Sequence, residues 1–345
     1  MLKEKSMPKK RTRPLGRTCP DGAWAHVAVI QAGDAHDNVL YQVKATREWE
    51  GYRENAASIC QALERINCRA TLLADGIQLP ARLQACRPDV AWICSGGIQG
   101  RDQAAHLPGL LEMLGLPYVG ASPLSAALSD NKIRAKQIAV WAGVPTPEFF
   151  VLDPSIPPEG TMHDWPPFPL MLKPATGMCG CGIIKACNPQ GVLDGVARIR
   201  DRYADTILME AFVQGEDVTV PVLEMRDEIR VLPPVRRHFP ESFAEQLSFT
   251  AVEEHTIEPA AMTPEMKQAL ASCSESLFRE TGLRHAARLD FRVADHAFHF
   301  LEMNHKPDLR PAGCFAQSAQ AAGMEYDDLI RHLLFLALNG NPATN

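Results

Sequence analysis

Short apolar runs alternate with amphipathic helical stretches through the first 120 residues. Residues 26–33 (HVAVIQAG) form an apolar run closing on glycine, the pattern of a buried parallel strand. Residues 54–66 carry apolar side chains at helical spacing. Residues 69–75 and 89–95 read as further strands, the latter leading into Gly96, Gly97 and Gly100. Residues 107–114 read as a helix and 117–121 as a fourth strand. This alternation predicts a parallel sheet covered on both faces. Ligands gather at the carboxyl ends of such strands, where the glycines lie. One helix is predicted over 125–142, closed by Gly143 and Pro145, and a proline-rich linker over 153–169.

From Pro169 onward the pattern changes to consecutive strands. Residues 170–174 and 183–187 read as strands around a flexible loop, 176–182 (TGMCGCG), and 192–203 as a helix. Strands follow at 207–213, 217–225 and 228–235, and 236–259 is expected to be irregular. A helix is predicted over 264–280, with Thr263 as cap and proline at its first position. Residues 285–293 and 296–302 read as an antiparallel hairpin, and 326–338 as a closing helix. The fold class is therefore α/β, turning to α+β in the C-terminal half.

Composition narrows this picture. A chain of 345 residues exceeds one ordinary core, so two or three domains are expected. The 46% apolar and 22% charged residues are a normal globular balance. A net charge of −6 gives no global nucleic-acid footprint. Residues 1–22 read as a disordered basic tail with seven Lys and Arg by Arg17, and Met7 offers an internal start. Binding to an anionic partner and organelle targeting stay open for it. Ten scattered cysteines without a secretion signal point to a reducing cytoplasm. No apolar run reaches the ~20 residues a membrane span needs.

Four segments carry candidate chemistry. Side chains two apart on a strand share a face, so Arg288 with Asp290, and Glu302 with Asn304, are placed to converge across the hairpin. Two carboxylates and an amide oxygen suit magnesium, and a guanidinium suits phosphate or an oxyanion. A solvated face with cross-strand salt bridges fits the same pattern. Lys173-Pro174 beside Gly177, Gly180 and Gly182 reads as a phosphate clamp or as a plain hairpin turn. Residues 207–220 could hold an adenine by main-chain groups and a ribose by a carboxylate, or be an amphipathic strand and turn. Lys132, on the predicted helix, could reach a phosphate or lie on the surface.

Taken in order, these pieces resemble the D-alanine–D-alanine ligase family of the ATP-grasp superfamily. The resemblance runs through Leu116-Pro-Tyr-Val-Gly120, Lys132, Lys173-Pro174, Glu210 with Gly215–Asp217, Arg288-Leu-Asp290 and Glu302-Met-Asn304. It covers the chain from about residue 26 to 338. It implies a three-domain ATP-grasp architecture: an N-terminal α/β substrate domain with a parallel sheet (23–121), a central domain (122–213) and a C-terminal catalytic domain (214–345). It implies an ATP-dependent ligase, with ATP as co-substrate and two Mg²⁺ ions. Lys132 and Lys173 would bind phosphates. Glu210, Phe212 and Val213 would line the adenine site, and Asp217 would hold the ribose. Asp290, Glu302 and Asn304 would ligate the metal, and Arg288 would stabilise the tetrahedral intermediate. Small amino or carboxylic acids are the implied partners, with no nucleic acid, no membrane, and a homodimer.

The chain departs from that family where substrates would be read. The family's Ser-Pro-Gly run after Asn304 is replaced by His305-Lys306-Pro307-Asp308, and its later Ser-Leu pair by Gly313-Cys314. Cys179 stands where a substrate-contacting serine is expected, and Glu50 is the counterpart offered for an N-terminal acid. His305, Lys306 and Arg310 become candidates for new substrate contacts. These departures point to a ligase for a different amino or carboxylic substrate. A carboxylate phosphotransferase and a non-catalytic ATP-binding relative are the alternatives.

Overall fold

A computed structural model describes residues 22–33, 49–97, 102–153, 155–176, 182–203, 205–238, 256–294 and 297–339. Strands β1 (His26–Gln31), β2 (Arg69–Ala74), β3 (Val90–Cys94) and β4 (Tyr118–Val119) form an all-parallel sheet in the order β2-β1-β3-β4. Alternate residues of β1 feed two different cores, as a strand covered on both faces requires. Val27 and Val29 pack with Ile59 and Leu63 of helix α1 (Trp49–Arg65). Ala28 and Ile30 pack with Leu79 and Leu83 of α2 (Leu79–Cys86) and Leu107 and Leu111 of α3 (His106–Met113).

The expected helix over 125–142 is two helices, α4 (Pro123–Asp130) and α5 (Lys132–Trp141). Asn131 leaves helical backbone at φ −91° and ψ 104°, and its Oδ1 accepts from the Ile133 and Arg134 amides at 3.1 Å. The side chain caps α5 instead of letting α4 continue.

A second sheet is antiparallel, in the order β5-β8-β6-β7. It comprises β5 (Phe149–Leu152), β6 (Leu170–Pro174), β7 (Ile184–Ala186) and β8 (Ile207–Ala211). Helix α6 (Pro189–Tyr203) lies on it so closely that a Cβ at Gly195 would meet Leu172 Cδ1 at 2.4 Å.

The third sheet has the order β12-β11-β9-β13-β14, with β10 also on β9. Its strands are β9 (Glu216–Glu224), β10 (Ile229–Val231), β11 (Val235–His238), β12 (Thr256–Pro259), β13 (Ala286–Ala294) and β14 (Ala297–Asn304). The single strand expected over 228–235 is broken, because Pro233 and Pro234 have no N–H for a ladder. Nor is all of 236–259 irregular: β11 and β12 pair antiparallel at its two ends. Helix α7 (Pro264–Glu280) packs Leu270, Leu277 and Phe278 on this sheet, in one core with Ala135 and Ala139 of α5.

Two C-terminal helices, α8 (Cys314–Ala321) and α9 (Tyr326–Asn339), return to the first sheet. Phe315, Leu329, Ile330 and Leu333 share the core of Val27 and Val29. Arg65 of α1 holds Asp327 at 2.7 Å. Helices α2 and α8 and strand β5 have no counterpart among the expected elements.

Candidate active site

The β13–β14 hairpin sets one wall. Its register pairs Arg288 with Asn304 and Asp290 with Glu302, and an irregularity follows directly after Asp290. On the other side β9 pairs Thr219 with Asp290 and Asp217 with Arg292. Leu289, Phe291 and Val293 point into the core. The polar residues between them therefore share the opposite face, as strand periodicity anticipates.

Asp290 is 2% exposed. Its Oδ1 accepts from Thr219 Oγ1 at 2.8 Å. Its Oδ2 accepts from Arg288 Nη2 at 3.0 Å and from Arg237 Nη2 at 3.2 Å. Glu302 reaches Lys132 Nζ at 3.2 Å. Burial opposes the Glu302 charge, but Lys132, Lys173 and Arg288 outweigh it and pull its pKa down to about 2. Burial likewise works against the Arg288 charge, and Asp290, with Cys314 and Glu302, more than compensates, raising its pKa.

A second wall is built on lysines. Lys173, next to last in β6, ion-pairs with Glu210 Oε1 on β8. The other oxygen, Oε2, meets Lys136 Nζ of α5 at 2.7 Å. Lys136 also donates to Thr146 Oγ1 at 2.8 Å and to the Phe300 carbonyl of β14 at 3.4 Å. Burial would favour neutral Glu210, but the two lysines dominate and hold its pKa below the usual range.

Next to these walls Phe212 presents a half-buried ring, with Lys185 Nζ 4.1 Å from its centroid and Arg292 Cζ at 6.0 Å. Val213 is half-buried beside it. Asp217 faces Arg292 at 3.1 Å, and burial raises its pKa despite that partner. Gly215 turns the chain into β9 at φ +144°, where a Cβ would lie 2.4 Å from the Val293 carbonyl oxygen. Only glycine suits both demands.

At the other end Asp308 and Arg310 satisfy each other. Asp308 Oδ1 accepts from the Arg310 amide at 2.9 Å, and Oδ2 meets Arg310 Nη2 at 2.9 Å. Arg310 also pairs with Glu54 of α1. Gly313 precedes α8, and a Cβ there would stand 3.0 Å from the Asp308 carbonyl oxygen and 3.2 Å from its Cγ. Cys314 is buried, and burial raises its thiol pKa although Arg288 and Arg237 oppose the rise.

His305 is buried and lines a cavity of about 30 Å³ with His285 and Asn55. The His305 side chain is thus buried and is not an exposed loop contact. The Lys306 amide donates to Asn304 Oδ1 at 2.9 Å. Glu50 lies in α1 but its side chain is outside the described residues, as is Cys179.

The structure thus brings Lys132, Lys173, Glu210, Arg288, Asp290, Glu302 and Asn304 together. It adds three residues that sequence reading missed. Lys136 stands four after Lys132 on one helix, a spacing that could have signalled a shared face. Arg237 was hidden in a stretch expected to be irregular. Thr219 faces Asp290 across the ladder, which only the register reveals. Among the described residues no three His, Cys, Asp or Glu side chains converge on a metal by themselves. The oxygen-only set of Asp290, Glu302 and Asn304 nevertheless fits magnesium, which nucleotide phosphates would help to coordinate.

Comparisons with known proteins bear on the family and the fold. A family model described as the D-ala D-ala ligase C-terminus matches residues 139–335. A D-alanine–D-alanine ligase of Syntrophotalea carbinolica is 30% identical over 80% of this chain and 88% of its own length. The uncharacterized protein y4sG of Sinorhizobium fredii is 33% identical over 70% of this chain and 72% of its own. The crystal structure of D-alanine–D-alanine ligase from Bacillus anthracis complexed with ATP superposes with a TM-score of 0.76. It shares 20% identity and covers 93% of this chain and all of the other, a likeness of fold.

Proposed function

The chain belongs to the D-alanine–D-alanine ligase family of the ATP-grasp superfamily, and we propose that it joins the carboxylate of one amino acid to the amine of a second substrate through an acyl phosphate. The observation that carries this reading is the convergence of Arg288, Asp290, Glu302 and Asn304 of the hairpin wall with Lys132 and with Lys173 of the lysine wall. Lys132 and Lys173 bind the ATP phosphates. Glu210, Phe212 and Val213 line the adenine, and Asp217 holds the ribose. Asp290, Glu302 and Asn304 hold two magnesium ions, which when bound neutralise charge on the phosphates.

Within this frame a carboxylate oxygen of the first substrate attacks the γ-phosphorus, and ADP leaves. The amine nitrogen of the second substrate then attacks the acyl carbon, and phosphate departs with the former carboxylate oxygen. Both steps place negative charge on oxygen. Arg288, fixed by Asp290, meets the oxyanion with a preset guanidinium, an arrangement that needs little reorganisation. Positioning and charge do the chemistry, without a side-chain nucleophile.

The first substrate is an amino acid, with D-alanine the first candidate because relatives are named for it. The second differs from D-alanine. Supporting this, Asp308 and Arg310 already neutralise each other at the departing positions, and Gly313 leaves room for the Asp308 side chain. The division into units at 23–121, 122–213 and 214–345 is part of the proposal, as is a cytoplasmic setting. No described helix is long and apolar enough to cross a membrane.

The test is a panel of D- and L-amino acids and simple amines supplied with ATP and Mg²⁺, scored for ADP and for product mass. ADP release matched by an amide-bonded product is expected. An absence of ADP with every carboxylate contradicts the reading. Hydroxylamine-trapped acyl phosphate with no amide from any amine favours the phosphotransferase alternative.

A further inference from the structure

Glu210 has more cation around it than one carboxylate needs. It is 2% exposed and sits between Lys136 and Lys173. The two lysines are held differently. Lys136 is wholly buried, and its ammonium is shared among Glu210, Thr146 and the Phe300 carbonyl. Those acceptors come from β8, from the segment before β5, and from β14. Thr146 Oγ1 also donates to the Phe300 carbonyl, at 2.8 Å, so this contact is braced. Lys173 is next to last in its strand and, at 8% exposed, is less deeply buried than Lys136.

A buried carboxylate cannot lose its only cation without a large penalty. If Glu210 had Lys173 alone, a ligand recruiting Lys173 would leave Glu210 charged and unpaired. With Lys136 fixed behind it, Glu210 keeps one partner whatever Lys173 does. We propose that Lys136 is a positioning residue: it is the permanent counter-ion of Glu210, and so frees Lys173 to exchange from Glu210 to a nucleotide phosphate. This rests on the reading of Lys173 as a phosphate ligand given above. Lys136 itself touches no substrate. It acts through Glu210, and through Phe300 it braces the strand that carries Glu302 two residues on.

A double-mutant cycle in nucleotide affinity separates this role from simple packing. The probe is adenylyl-imidodiphosphate with Mg²⁺, titrated by calorimetry into the full chain, the Lys136→Met and Glu210→Gln variants, and the double variant. In the native background Lys136→Met is expected to weaken binding at least tenfold, because Lys173 is then detained by Glu210. In the Glu210→Gln background the same change is expected to cost less than twofold, because a neutral amide detains nothing. Any loss of an adenine contact by Glu210→Gln cancels within the cycle. The double variant removes both charges of the buried pair, so it stays measurable if Lys136→Met alone folds poorly. In that event the comparison of the double variant with Glu210→Gln decides. Equal losses in both backgrounds, or a double variant at least tenfold weaker than Glu210→Gln, would overturn the inference. A native chain that binds no nucleotide would instead remove the ligase reading on which it rests.

Discussion

The two ends of the site handle charge in opposite ways. At the phosphate end, Asp290 is shared by Arg288 and Arg237, and Glu210 by Lys136 and Lys173. At the far end, Asp308, Arg310 and Glu54 form a closed chain of acid, base and acid. The first arrangement sets two cations on each carboxylate. The second spends its arginine on the protein's own carboxylates. Under the proposed function, the contrast would put phosphate chemistry at one end and the change of substrate at the other.

The most severe break is Asp290→Asn. It keeps the size and the Thr219 contact but removes the charge that two arginines face and that the proposed metal would need. Turnover is expected to fall at least ~10³-fold, in line with losses on removing preorganised electrostatic groups. Unfolding should remain cooperative by circular dichroism. An active Asp290→Asn variant would refute the metal assignment.

A smaller effect should come from Arg310→Ala. The two carboxylates lose their shared base, so acceptor KM should shift several-fold while nucleotide affinity stays within twofold. A change in nucleotide affinity of similar size would erase the distinction between the two ends.

How much of this was readable from sequence follows from which rule placed each residue. Period-2 spacing put Arg288, Asp290, Glu302 and Asn304 on one face, and the ladder agrees. The parallel first sheet followed from alternating strand and helix patterns. The spacing of Lys136 from Lys132 was legible, but its burial was not, because a lysine on a helix is ordinarily a surface residue and this burial depends on three elements far apart in sequence. Arg237 was missed because two prolines and a polar stretch suppress the strand signal of β11. The break between α4 and α5 was legible in principle, since asparagine is a strong cap. The closure of Arg310 by Glu54 spans 256 residues and has no local signature.

A third effect concerns stability, where the residue before β13 meets the segment after β4. His285 adopts φ +63°, accepts from the Gly120 amide at Nδ1 over 3.1 Å, and is buried. Burial, with Arg284 nearby, lowers its pKa from 6.5 to about 3. The unfolded chain therefore takes up a proton on this group before the folded chain does. Its effect on stability is absent above pH 6.5 and grows unfavourable as pH falls toward 3, at up to ~1.4 kcal/mol per pH unit. Asparagine tolerates this backbone and offers an oxygen acceptor. In His285→Asn, denaturant unfolding between pH 6.5 and 5 should show a shallower loss than the native chain. An unchanged slope would mean that His285 titrates alike in both states.

The proposed reaction turns on an acyl phosphate formed on a substrate carboxylate. The direct measurement uses a productive carboxylate from the substrate panel, labelled with ¹⁸O in both oxygens, and mass analysis of the phosphate released with ATP and amine. One ¹⁸O per phosphate, carried over from the carboxylate, is expected. Phosphate free of ¹⁸O alongside amide product would contradict it.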